Sequence, residues 1–394
     1  MKNTIAAHPD QKRLAVIVPD RLSVLLAKGE IVERYYNPGN IFDVVHLVMT
    51  NDDTADVHKL QPLVGRAKLF LHNIPASPSL FVKTLGYRPL LLRPWVDRAL
   101  ALLGDIAPDL VRVHDGFLEC HLAAQARQHL GIPYVVSLHG VWDRDRLYPS
   151  AGMDWLYKRL VGPLQAVSLA QADAVICVYK PIVRYARKCG AKNVHLVYNP
   201  VSRNIQSKQD YTLSDPPRLL TVNRQVAEKN PENIIRAVRH LNCAYDIVGQ
   251  GPLHESLRAL VRELGLESRV TFIPSLPNAA LLERLPGYDV AVFHCDYWGI
   301  SKGILEASLA GMPVVANRHP VEPIPDYAGD WLVACENTEE GYRRAIGGLL
   351  ADADMRRALG VAARTHAATH WDPEKMEAAV AAVYGELLAT REMR

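Results

Sequence analysis

The sequence predicts an α/β protein of two doubly wound domains in tandem, each built on a parallel sheet. Three observations predict it. Strand-length apolar runs alternate with longer helix-period stretches, the pattern of β-α-β connections. The alternation stops once, at SRNIQSKQDYTLSDPP (202–217), and then restarts. That stretch is polar, ends in proline and has no apolar period, so it reads as a linker. Finally, 394 residues at 49% hydrophobic content suffice for two cores.

In the first half the strands are LAVIVP (14–19), VVHLVM (44–49), LVRVH (110–114), YVVSLH (134–139), AVICV (174–178) and VHLVY (194–198). Helix-period stretches lie between several of them, such as 92–104 and 118–131. Both end at glycine, which suits a left-handed C-cap. After the linker come RLLTV (218–222), YDIVG (245–249), RVTFI (269–273), DVAVFH (289–294), PVVAN (313–317) and WLVAC (331–335). Open α/β sheets bind ligands beyond the carboxyl ends of their strands. Two such domains facing each other would make a cleft, and function is expected there.

The net charge of +3 gives no bias toward nucleic acid. Its distribution is uneven: residues 1–205 carry 25 Lys+Arg against 17 Asp+Glu, and residues 206–394 carry 20 against 25. A basic half suits an anionic partner, including a phospholipid surface, or is simply an uneven solvated surface. The six cysteines are scattered with no CxxC pair, which argues against zinc and for thiols of a reducing compartment. No apolar run is long enough for a signal peptide or a membrane span, so a cytoplasmic protein is expected, with contact at the inner membrane face left open.

Three segments carry chemistry. In WGISKGILEASLAGMPVVA (298–316), Ser301 is a helix N-cap, Gly311 can end the helix and Pro313 opens the next strand. The free N–H groups at such a helix start suit a phosphate. Gly303 lets the backbone approach it, and Glu306 can accept from ribose hydroxyls. The same residues could be a plain helix packing on a sheet. In TVNRQVAEKNPENIIRAV (221–238), Arg224 and Lys229 occupy the loop after a strand. There they can neutralise a diphosphate leaving group, or they are two solvated cations. In YDIVGQGPLHESLRAL (245–260), a Gly-Gln-Gly-Pro turn joins strand to helix without the dinucleotide GxGxxG spacing.

Taken together, 218–317 resembles the retaining glycosyltransferases of family four, also described as glycosyl transferases group 1, which have the GT-B fold. The resemblance implies two Rossmann-like domains, 1–205 on the acceptor side and 206–371 on the nucleotide-sugar side, with a helix at 372–394 returning to the first. It implies a UDP- or GDP-sugar donor, a glycan or lipid-linked acceptor, retention of configuration, and neither metal nor further cofactor. Bacterial surface polysaccharide synthesis is the family's commonest use. Arg224 and Lys229 would bind the diphosphate, Glu306 the ribose, and backbone groups at Lys302, Gly303 and Ile304 the phosphate or sugar oxygens. Ile273 and Pro274, ending RVTFIP, would meet the base. His139, ending SLHG (137–140), would line the reacting sugar, or is a satisfied histidine in a turn.

Two departures stand out. The family acid eight positions before the ribose glutamate is Trp298 here. A Trp can stack on a sugar but cannot accept a hydroxyl hydrogen bond. Either the pocket is unusual, or Asp296 takes the role, or transfer is impaired, leaving a protein that binds a nucleotide or a partner. The glycine-rich loop after the first strand is also absent; Gly29 offers the nearest turn. Weaker features are Asp143 and Asp145, His114-Asp115-Gly116 at a strand end, WLYKRL (155–160), and GYRPLLLRPW (86–95), which either touches a membrane or lipid-linked acceptor or is a buried loop leading into a helix.

Overall fold

The computed structural model describes residues 11–29, 31–140, 153–296 and 299–392, the side chains of 153–158 and 392 excepted. The chain forms two compact units: Met1–Ala27, Ile31–Tyr198 and Lys375–Arg394 in one, Lys28–Glu30 and Asn199–Glu374 in the other.

The first unit carries seven strands: β1 Arg13–Val18, β2 Val44–Met49, β3 Lys68–Asn73, β4 Leu110–His114, β5 Tyr134–Leu138, β6 Ala174–Cys177 and β7 Val194–Leu196. Their order is β3-β2-β1-β4-β5-β6-β7, parallel throughout. The near-continuous apolar runs follow from burial on both faces; every residue of β1 and β2 is buried. The expected strands are present, and one more, β3, lies at the sheet edge. Its sequence KLFLHN is half-exposed and lacks the unbroken apolar run that marks the others. The helix Pro373–Glu392 supplies Val380, Val383, Tyr384, Leu387 and Leu388 to the core under β1 and β2.

The second unit carries β8 Arg218–Val222, β9 Ala244–Val248, β10 Val270–Ile273, β11 Val290–Phe293, β12 Val314–Asn317 and β13 Val333–Cys335, in the order β10-β9-β8-β11-β12-β13, again all parallel. Both sheets therefore reverse direction beside their first strand, between β1 and β4 and between β8 and β11. Such a reversal opens a crevice at the carboxyl ends, the place where doubly wound sheets bind ligands.

Two details differ from the expectations. The helix expected to stop at Gly104 runs over Pro89–Ile106, and Ala107 takes the left-handed cap at φ 47°. The buried Leu103 and Ile106 hold the extra turn against the core. The other expected stop is met, with Gly131 at φ 68°. The segment 202–217 has no helix or strand but is no free linker. Tyr211 donates its hydroxyl to the Gly311 carbonyl at 2.9 Å, and Lys208 donates to the Pro286 carbonyl at 2.9 Å, strapping it onto the second unit.

Candidate functional site

At the β8/β11 switch point the loop after β8 is clamped by backbone. Gly249, at φ 129°, has no room for a Cβ because the Asn223 carbonyl occupies that space, and Gly251 is filled in the same way by the Gln225 backbone. A Cβ at Gly303 would lie 2.7 Å from the Val222 carbonyl. Gln225 N–H donates to the Gln250 carbonyl at 3.1 Å, and Leu253 N–H returns a bond to the Gln225 carbonyl at 3.0 Å. The Gly-Gln-Gly-Pro turn thus fixes the course of the 223–225 backbone. Arg224 points out of this clamp, exposed. Lys229 ends a short helical turn at Ala227–Lys229 and is half-buried. Asn223, which the sequence reading missed, is buried, and its amide nitrogen has no partner among the described residues.

The helix Lys302–Leu309 begins on the other side of the crevice. Ser301 caps it as expected, its hydroxyl accepting from the Ile304 N–H at 3.3 Å. That N–H also serves the Ser301 carbonyl at 3.0 Å, so Ile304 is already satisfied. The Lys302 and Gly303 N–H groups are the ones left at the helix start, where the first N–H groups have no intrahelical acceptor. Glu306 is buried; its Oε1 accepts from Asn278 Nδ2 at 3.0 Å and lies 3.7 Å from Lys302 Nζ. Asn278 starts the helix Asn278–Arg284. Gly29, at φ 64°, packs on the same helix start, where a Cβ would lie 3.3 Å from Asn278 N and Pro277 Cα.

Asp296 is buried, with Oδ2 2.9 Å from His294 Nε2 and Oδ1 accepting from Asn317 Nδ2 at 2.5 Å. Its N–H donates to the Glu228 carbonyl at 2.9 Å, tying this loop to the turn that carries Lys229. Both oxygens are thus engaged within the unit. The Ile273 carbonyl accepts from Gly249 N–H at 2.9 Å, and Pro274 is exposed just beyond β10. Trp298, Asp143 and Asp145 lie outside the described residues. The structure brings Arg224, Lys229, Lys302, Gly303 and Glu306 to one switch point and places Ile273 and Pro274 at the end of the edge strand.

His139 lies in the first unit, just past β5. A cavity of ≈ 610 Å³ opens there at the β1/β4 switch point, lined by Asp20, Thr50, Asn51, Tyr87, His114, Asp115, Glu119 and His139 among others. The His114 and His139 rings lie 4.4 Å apart. Burial, and then the nearby Arg112 guanidinium, push His139 down to about 3; burial also pushes His114 down. Both rings are neutral at neutral pH. Burial raises the Asp115 carboxyl to about 7, although N–H groups of Gly116 and His139 favour its charged form. His114 Nδ1, Asp115 Oδ1 and His139 Nε2 are buried without a partner among the described residues. Among the described residues, no Lys or Arg lines the cavity. No group of three or more His, Cys, Asp or Glu among the described residues is arranged to hold a metal, and none of the six cysteines forms a disulfide.

Residues 202–366 match the family described as Glycosyl transferases group 1, and residues 44–204 match Glycosyltransferase Family 4. The chain belongs to this family, and its fold is GT-B. Sucrose-phosphate synthase from Thermosynechococcus elongatus superposes over 96% of this chain and 100% of its own, with TM-score 0.75 at 18% identity. Anabaena HepE in complex with UDP covers 95% and 100%, with TM-score 0.70 at 16% identity. Among curated relatives, a GDP-mannose-dependent alpha-(1-6)-phosphatidylinositol monomannoside mannosyltransferase of Mycolicibacterium smegmatis is 32% identical over 177 residues, 42% of this chain and 46% of that protein. The chain spans about half the length of the first curated relatives it matches.

Proposed function

We propose that this protein is a retaining, metal-independent glycosyltransferase that moves a sugar from a UDP- or GDP-linked donor to a hydroxyl acceptor. The observation that carries the reading is the pairing, at one switch point, of two cations with the free start of a capped helix and a buried carboxylate. Arg224 and Lys229 would stabilise the charge that develops on the departing diphosphate, and the Lys302 and Gly303 N–H groups would add fixed dipoles. This arrangement supplies by side chains and backbone what a divalent cation would otherwise supply. Glu306, held by Asn278 and Lys302, would accept from ribose hydroxyls, and the backbone at Ile273 and Pro274 would border the base. No residue is placed as a nucleophile. The leaving phosphate itself would take the acceptor proton as the new bond forms on the face that the diphosphate leaves.

Both nucleotide classes occur among relatives: the mycobacterial protein is GDP-mannose-dependent, and HepE was solved with UDP. The cavity beside His139 is the acceptor side of this reading. Its carboxyl groups and neutral imidazoles suit a hydroxyl- or amine-bearing acceptor, because the described lining offers hydrogen-bonding groups and no cation. A bacterial glycan or glycolipid is the acceptor we favour, made at the inner face of a membrane. No described helix is long and apolar enough to cross one.

The test is a transfer assay over UDP- and GDP-sugars with hydroxyl acceptors, in chelator, with the anomeric configuration of the product read by NMR. Transfer with retention is expected. Nucleotide binding with no transfer to any acceptor would favour the second reading, an impaired member, which Trp298 at the family's acidic position motivates.

A further inference from the structure

The helix Pro89–Ile106 buries Leu92, Trp95, Val96, Ala99, Leu103 and Ile106 against the first unit. A helix advances about 100° per residue, so Leu90 faces away from Leu92 and from the core. Leu90 is 86% exposed and Leu91 47%, while Val82 is 65% and Leu85 60% exposed on the segment leading in. Four large apolar side chains within ten residues thus contribute little to the fold. Two features hold them outward. Leu85 and Tyr87 both adopt left-handed backbone, at φ 51° and 59°, which turns Leu85 out while Tyr87 is buried. At Gly86 a Cβ would lie 2.5 Å from Leu160 Cδ1, so the loop is pressed onto a further partly exposed leucine.

The charge along this segment is of one sign up to Asp97. No Asp or Glu occurs between Asp56 and Asp97, while Lys59, Arg66, Lys68, Lys83, Arg88 and Arg93 do. Lys83, Arg88 and Arg93 are exposed and flank the four apolar residues. Arg93 has only a loose 3.9 Å contact with the exposed Asp97. Exposed apolar side chains interleaved with cations match a surface with an apolar interior and anionic headgroups.

We propose that segment 82–93 docks the first unit onto an anionic lipid surface. Leu85, Leu90 and Leu91 enter the headgroup boundary, and Lys83, Arg88 and Arg93 meet lipid phosphates. Tyr87, on the inner side of the same loop, lines the His139 cavity, so a surface held by this segment borders that cavity. The docking does not depend on the transferase reading.

The experiment is co-sedimentation of the full chain with vesicles of phosphatidylcholine, with and without phosphatidylglycerol. The wild type is expected to bind the anionic vesicles and to release with salt. Leu90→Asp/Leu91→Asp should lower partition at least tenfold, and Lys83→Glu/Arg88→Glu should remove the preference for anionic lipid. Val361→Asp, at an exposed residue of the second unit, should bind as wild type. Unchanged melting temperatures would show that both patch variants fold, and unchanged nucleotide binding would separate this outcome from failure of the donor site. No wild-type binding to either vesicle would overturn the proposal, as would patch variants that bind like wild type. A Leu90→Asp/Leu91→Asp change that only converts a dimer to a monomer would overturn it too, assigning the patch to a second copy of the chain.

Discussion

Gly249 lies with its α-carbon directly against the carbonyl oxygen of Asn223, too close for any side chain to fit. This contact explains why a strand-to-helix turn without dinucleotide spacing matters to a loop more than twenty residues before it. The glycines of 249–251 do not touch a ligand in this account; they set the backbone on which Arg224 is displayed.

Gly249→Ala should therefore act through the loop. The clash is with backbone, and at φ 129° an alanine is also strained. We expect a loss of about 2–4 kcal/mol, combining overpacking with backbone strain. Thermal melting should show it directly, and nucleotide affinity should fall with it.

Arg224→Ala should behave in the opposite way. The side chain is exposed, so stability should stay within about 0.5 kcal/mol of wild type. Turnover should fall about 10²–10³-fold, as on removal of a preorganised group facing developing charge. Lys229→Ala should move in the same direction. Steady-state kinetics beside a melting curve would check both; wild-type rates in both variants would remove them from the phosphate site.

Glu306→Ala should change what the site distinguishes. If Glu306 accepts from ribose hydroxyls, wild type should prefer a ribonucleotide over its dideoxy analogue, and the variant should lose that preference. It also removes the acceptor of the half-buried Asn278 amide, which costs about 0.5–1.5 kcal/mol. Calorimetric titration of the two nucleotides against both proteins separates specificity from stability.

Acid should destabilise the first unit. Burial lowers His46 to about 3, with contributions from His72 and Arg13, and burial also lowers His72, His114 and His139. Unfolded histidines bind protons below about pH 6.5 and these folded ones do not, so the unfolded state gains protons first and stability falls as pH drops below that value. Asp115, raised to about 7, and Glu119, also raised by burial, bind their protons earlier in the folded state and oppose the trend, but two carboxyls stand against these four imidazoles and His121, which burial also lowers. Denaturant midpoints across this range should decline on the acid side. His46→Phe, beside the stacked Phe70 ring, should flatten the decline.

The fold was largely legible because parallel strands buried on both faces read as unbroken apolar runs. β3 escaped for the converse reason: it is an edge strand with mixed exposure. Ser301 was legible because a cap is a local motif. Asn278 and Asn223 were not. A half-buried asparagine that bonds Glu306 from 28 positions away has no sequence signature, and an unpartnered amide shows only in three dimensions. The bond from Asn317 to Asp296 was not legible either, because it joins the ends of neighbouring strands 21 positions apart.

The most direct test of a metal-free nucleotide-diphosphate site at the β8/β11 switch point is calorimetric titration of UDP and GDP into the full chain in chelator. At least one is expected to bind without metal, and Arg224→Ala/Lys229→Ala is expected to weaken it at least tenfold, about 1.4 kcal/mol. Failure of both nucleotides to bind wild type, or binding that appears only when a divalent cation is restored, would rule out a metal-free diphosphate site there.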